Sequence, residues 1–127
     1  MTKPIIETEF FNLYGMAEGV YAAVIKPGCG AWSNSGIVDL GDDLLVFDAF
    51  STPTAARELR IQAEKLTGKK VKYLINSHYH GDHTFGNQAF KDTTMLSTMI
   101  TRKWIEKHNV ISDLAKEQEE MKQYLDD

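Results

Sequence analysis

Three of the four histidines of this chain fall within six residues, in the run His78-Tyr79-His80-Gly81-Asp82-His83. His78 and His80 are two residues apart, so in an extended segment their imidazoles project to the same side and can share one ion. Gly81 permits a sharp turn without steric penalty, which aims Asp82 and His83 at a second position beside the first. Neutral imidazole and carboxylate are ligands that Zn²⁺ accepts at about 2.0 to 2.2 Å. No thiolate is involved, so a closed structural zinc site is disfavoured, and an all His and Asp shell leaves room for water, as a catalytic centre requires. The competing reading is a polar loop whose histidines cap the helix from Thr84 onward, but capping needs one such residue rather than four.

The elements around the cluster are legible from the hydrophobic pattern. Gly19 to Ile25 reads as a strand that ends at the turn-forming Pro27-Gly28-Cys29-Gly30. Ser35 to Leu40 and Leu44 to Asp48 follow, joined by the hairpin-like Gly41-Asp42-Asp43. Ala55, Ala56, Leu59, Ala63 and Leu66 then fall at helical spacing. With Thr52 as N-cap, Pro53 in the first turn and Gly68 as the stop, a helix is predicted over 53–67. Val71 to Asn76 is the next strand, so the order strand, helix, strand makes a crossover unit whose last strand ends two residues before His78. In such a sheet ligands gather beyond the carboxyl ends of the strands, where this loop falls. Helices are expected at 98–107 and at 113–125, the latter capped by Ser112, giving four or five strands and then helices. Leu44-Leu45-Val46-Phe47 and Tyr73-Leu74-Ile75 are apolar on both faces, the pattern of a sheet covered on both sides. The two helices 53–67 and 98–107 can cover one face, and the other needs a partner.

The cluster resembles the signature of the metallo-β-lactamase superfamily, and it does not stand alone. Asp48, at the end of the preceding strand, matches that family's first conserved aspartate, and Gly86-Asn87 after the motif is also typical. The likeness runs from about Val20 to Phe90 and is specific for fold rather than substrate. It implies an α/β fold, the N-terminal half of a four-layer αββα sandwich with a mixed sheet and helices on one face. It also implies His78 and His80 as ligands of a first metal, Asp82 and His83 as ligands of a second, and Asp48 outside the ligand set, orienting the histidine loop. The implied cofactor is Zn²⁺, two ions per complete site, with iron or manganese as alternatives. The implied chemistry is hydrolysis of an ester, amide, thioester or phosphoester by a metal-activated water that Asp82 orients or deprotonates. A β-lactamase proper, an iron-loaded redox relative and a half-domain that acts by association are the competing readings.

The family's site draws on further ligands downstream, a histidine, a bridging aspartate and a last histidine. After His83 this chain has only His108, in Lys107-His108-Asn109 at a helix end, where a solvated cation beside the helix dipole is the simpler reading. Residues 1–127 are therefore expected to form a partial domain whose C-terminal half lies outside the chain, inactive or nearly so alone and prone to oligomerise through its bare sheet face. A net charge of -4, with lysines scattered among acids, gives no reason to bind nucleic acid, so the expected partner is a small-molecule substrate. The first residues do not read as a secretion signal, no run approaches membrane-spanning length, and Cys29 is the one cysteine, so cytoplasm is the expected compartment. Trp32 is a candidate for a substrate mouth. Cys29 is expected to be inert, Met95, Met99 and Ile100 to fill the core, and the acidic run around Glu117 to Glu120 to be a solvated helix face.

Overall fold

The computed structural model describes residues 3–109, 116, 118–120 and 122–123. Seven strands make one mixed sheet: β1 (Ile6–Glu7), β2 (Phe11–Ala17), β3 (Val20–Ile25), β4 (Ser35–Asp39), β5 (Leu44–Phe47), β6 (Val71–Ile75) and β7 (Thr94–Leu96). Their spatial order is their chain order. Pairing is antiparallel from β1 to β5, where short turns suffice, and parallel at β5/β6 and β6/β7. Parallel neighbours require a crossover. Helix α1 (Pro53–Thr67) supplies the first, and the second runs through the histidine loop, the short α2 (Gly81–Thr84) and a 3-10 helix (Phe85–Phe90).

Helix α1 has the predicted bounds for the predicted reasons. The Thr52 hydroxyl accepts from the Ala55 amide at 3.3 Å, Pro53 occupies the first turn, and Gly68 closes the helix at φ 71° with its amide donating to Glu64 O. Ala55, Ala56, Leu59 and Ala63 form its buried stripe, while Leu66, at the end, is 39% exposed. The stripe packs on one sheet face, where register aligns Leu13, Ala23, Ile37, Val46 and Leu74, all fully buried. On the opposite face Val24, Val38, Leu45 and Ile75 are half-buried and Phe47 is 42% exposed. Among the described residues, that apolar face has no covering layer.

The seven strands exceed the expected four or five, and β1, β2 and β7 lie outside the four segments that the pattern places. The alternation Phe11, Leu13 buried against Asn12, Tyr14 half-buried is the period of a strand and marks β2, whereas β1 and β7 are short edges with no such signal. Met95, Met99 and Ile100 do not fill the core: they are 42%, 73% and 69% exposed. Met95 lies on the edge strand β7, and the helix that carries the other two, α3 (Met99–His108), buries only Thr101. Its N-cap is Thr98, whose hydroxyl accepts from the Thr101 amide at 3.1 Å. α3 thus does not join α1 in covering the sheet. The helix expected over 113–125, with its cap Ser112, lies largely outside the described residues, of which 116, 118–120 and 122–123 are helical.

A polar staple fixes the 3-10 helix to α1. Arg60 donates to Ala89 O at 2.9 Å and grips the Asp92 carboxylate at 2.6 and 2.8 Å. The Arg60 guanidinium holds the Asp92 carboxyl down at about 2, against an ordinary value near 3.8. A lowered carboxylate contributes stability above its unfolded pKa and loses it as pH falls through the folded value. Asp92→Asn is therefore expected to lower stability at neutral pH, with the gap from wild type closing as pH falls from about 4 toward about 2. Urea titrations at stepped pH measure the gap, and one that stays constant down to the lower limit contradicts the staple.

Candidate metal centre

The site starts at the end of β5. Asp48 is 3% exposed and sits at φ 68°, in the left-handed region that a non-glycine residue enters only when its surroundings hold it there. Its amide donates to Ile75 O at 2.8 Å, and its carbonyl accepts from Ser35 Oγ at 2.9 Å. So held, the carboxylate turns toward the loop after β6. Oδ1 accepts from the Ser77 amide at 2.8 Å, and Oδ2 accepts from Ser77 Oγ at 2.7 Å and lies 2.8 Å from His83 Nδ1.

These contacts fix two tautomers. A carboxylate only accepts, so a neutral His83 carries its proton on Nδ1 and its lone pair on Nε2. The single Ser77 hydroxyl proton is committed to Asp48, so in its 2.8 Å contact with His78 Nδ1 the hydroxyl accepts, and His78 too presents a bare Nε2. Asp48 thus contacts the loop at Ser77 and His83, and Ser77 in turn contacts His78. Nothing in the spacing marks Ser77, although it directly precedes the motif.

His78 is the centre of the histidine group, its ring centroid 4.8 Å from that of His80 and 4.1 Å from that of His83. His80 caps α2, whose first turn carries Asp82 and His83, and an Asp82 carboxylate oxygen lies 3.4 Å from His83 Nε2. Asp82 O also accepts a short hydrogen bond from Ser33 Oγ, which ties the loop before β4 to the cluster. Beneath, the Asn76 and Asn87 side chains form a reciprocal amide pair at 2.8 and 3.1 Å, and Asn76 donates to His83 O at 3.2 Å. Gly81 has a role other than the one expected. It is not among the residues with positive φ; instead a Cβ there would lie 2.3 Å from the Phe85 ring.

The donor set fits a divalent cation in kind, with neutral imidazoles whose tautomers expose Nε2 and a carboxylate beside them. It falls short in number: among the described residues no three His, Cys, Asp or Glu side chains are arranged to hold a metal ion. His108 is exposed, its ring stacked on Trp104 at 4.6 Å and tilted against Tyr79 at 5.6 Å. Trp32, 43% exposed, lines a cavity of about 290 Å³ with Ile25, Lys26, Gly28 and Gly30. Cys29 is a half-buried free thiol. No helix among the described residues is long and apolar enough to cross a membrane.

Comparisons with known proteins bear on this geometry. No curated protein matches the chain. Among solved structures, a metallo-β-lactamase from Erythrobacter litoralis superposes with a TM-score of 0.72 at 17% identity, over 83% of this chain and 49% of that one. One from Hirschia baltica gives 0.68 at 18% identity, over 79% and 48%. The metallo-β-lactamase FIM-1 from Pseudomonas aeruginosa, in its mono-zinc form, gives 0.69 at 14% identity, over 79% and 47%. The likeness is one of fold, and this chain spans about half the length of the structures it matches. The family model of the metallo-β-lactamase superfamily matches residues 33–114, from the loop before β4 through the whole histidine cluster, and the chain belongs to that superfamily.

Proposed function

We propose that this chain carries the histidine-rich part of a metal-dependent hydrolase site, with His78, His80, Asp82 and His83 as its ligands. The observation that carries the reading is the pair of Nδ1 contacts, His83 to Asp48 and His78 to Ser77, on two rings whose centroids lie 4.1 Å apart. A cation held there, Zn²⁺ first among candidates, would supply Lewis acidity and lower the pKa of a water toward about 7. Asp82, half-buried next to His83, orients that water or receives its proton. Asp48 and Ser77 hold the ring orientations. The substrate class is an ester, amide, thioester or phosphoester. The donors among the described residues alone bind metal weakly and turn substrate over slowly.

The test is hydrolysis by the whole protein. His80→Ala and Asp82→Ala are each expected to remove hydrolysis of activated ester and phosphoester substrates, and wild-type turnover in either, at matched metal content, sinks the assignment. A true β-lactamase is a second reading, favoured by the names of the three similar structures. Nitrocefin separates the two, since only the second reading expects it to be cleaved efficiently.

A further inference from the structure

His80 is oriented differently from its neighbours. The rings of His78 and His83 are held through Nδ1 by Ser77 and Asp48, whereas among the described residues no hydrogen bond reaches a ring nitrogen of His80. Its ring is met edge-on by two neighbours, Tyr79 at 4.7 Å and His78 at 4.8 Å, and of these only Tyr79 is gripped from outside the loop. Tyr79 is in turn the residue on which α3 rests. Its ring stacks on Trp104 at 5.3 Å and 29°, and Trp104 stacks on His108 at 4.6 Å and 12°. Its carbonyl accepts from Asn109 Nδ2, which also donates to Thr84 Oγ1 at 2.9 Å; Thr84 Oγ1 donates to His80 O at 3.2 Å. Asn109 itself is fixed as the C-cap of α3, its amide donating to Ile105 O at 2.9 Å.

The rest of α3 is poorly packed. It buries only Thr101, and cavities of about 320 and 390 Å³, which share Asn87 and Ile105 in their walls, lie beside it. A helix that adds so little to the core and yet delivers both an aromatic ring and an amide to one loop residue acts on that loop.

We propose that α3 is a clamp on the metal loop, with Trp104 and Asn109 as positioning residues that set the direction of His80 by gripping the ring and carbonyl of Tyr79. The inference rests on the reading of His80 as a ligand. The amide of Asn109 fixes the Tyr79 carbonyl, Thr84 fixes the next carbonyl, and together they remove most of the freedom of the peptide from which the His80 side chain departs.

The experiment is a Co²⁺ titration of the whole protein followed by visible absorption, with far-UV circular dichroism as the check on fold. Asn109→Ala and Trp104→Ala are expected to weaken Co²⁺ binding by about 10- to 100-fold, the range for residues that orient a ligand without touching the metal. Trp104→Phe, which keeps a ring on Tyr79, is expected to retain near wild-type affinity. Because the clamp acts through His80, adding Asn109→Ala to His80→Ala should cost nothing further, a non-additivity that general loosening of the fold does not produce. Wild-type affinity in both alanine variants, or additive losses in the double variant, overturns the clamp while leaving His80 a ligand. Failure of the wild type to bind Co²⁺, or of His80→Ala to weaken it, overturns the metal reading itself and the clamp with it.

Discussion

Replacing Gly86 with alanine is expected to cost about 3 to 5 kcal/mol, as large an effect as a single methyl produces in a domain. Gly86 is buried, and its amide donates to Phe50 O at 3.1 Å. A Cβ there would stand 1.8 Å from Ala49 O, 2.9 Å from the Ala49 carbonyl carbon and 2.6 Å from the Ala56 Cβ. These are two backbone atoms and a methyl on a packed helix, none of which can swing aside. Nor can Ala49 retreat independently, because its amide donates to His83 O at 2.9 Å and ties it to the histidine loop. Against a total stability of about 5 to 15 kcal/mol the loss is a large fraction. Urea unfolding measures it, and a midpoint within error of wild type contradicts the close approach of the 3-10 helix to the end of β5.

Asp48→Asn should leave the chain folded and yet weaken metal binding by at least about 10-fold. The amide is nearly isosteric with the carboxylate, so the change is one of hydrogen-bond polarity. Three donors converge on Asp48, namely the Ser77 amide, the Ser77 hydroxyl and His83 Nδ1–H. Asparagine offers one acceptor and one NH₂ in their place. If the oxygen keeps the Ser77 amide, the NH₂ faces His83 Nδ1, which must give up its proton to accept. The proton then sits on Nε2, and the nitrogen that should bind metal no longer can. The same logic makes a catalytic histidine fail when its orienting aspartate becomes asparagine. Co²⁺ titration together with the histidine proton resonances reads both halves of the claim. Unchanged affinity, or an Nδ1 proton still present on His83, rules out the tautomer argument.

Sequence and structure agree best where a single local rule governs. Helix α1 has its predicted ends because Thr52, Pro53 and Gly68 each act within one turn. Asp48 could be paired with the histidine loop through the family resemblance, although the two lie 35 residues apart at His83. What sequence could not supply was anything decided by packing across the chain. Ser77 relays Asp48 to His78 through one proton, and no spacing rule announces it. Met95, Met99 and Ile100 have core composition, but their exposure depends on β7 being an edge and on α3 leaning on Tyr79 instead of the sheet. The sequence suggests a backbone need for Gly81, and the structure gives it a steric one, the Phe85 ring.

The sheet's spatial order, identical to its chain order, bears on how the site comes into being. Each strand finds its partner beside it as soon as it is made, so pairing from β1 to β5 never waits for a distant segment and closes only short loops. The histidine cluster cannot form that way. Asp48 meets Ser77 across 29 residues, through a crossover that must already contain a finished α1. The meander can therefore pair before the metal loop is made. A chain stalled before Ser77 has emerged contains β1 to β6 and α1 and yet has no metal loop to orient.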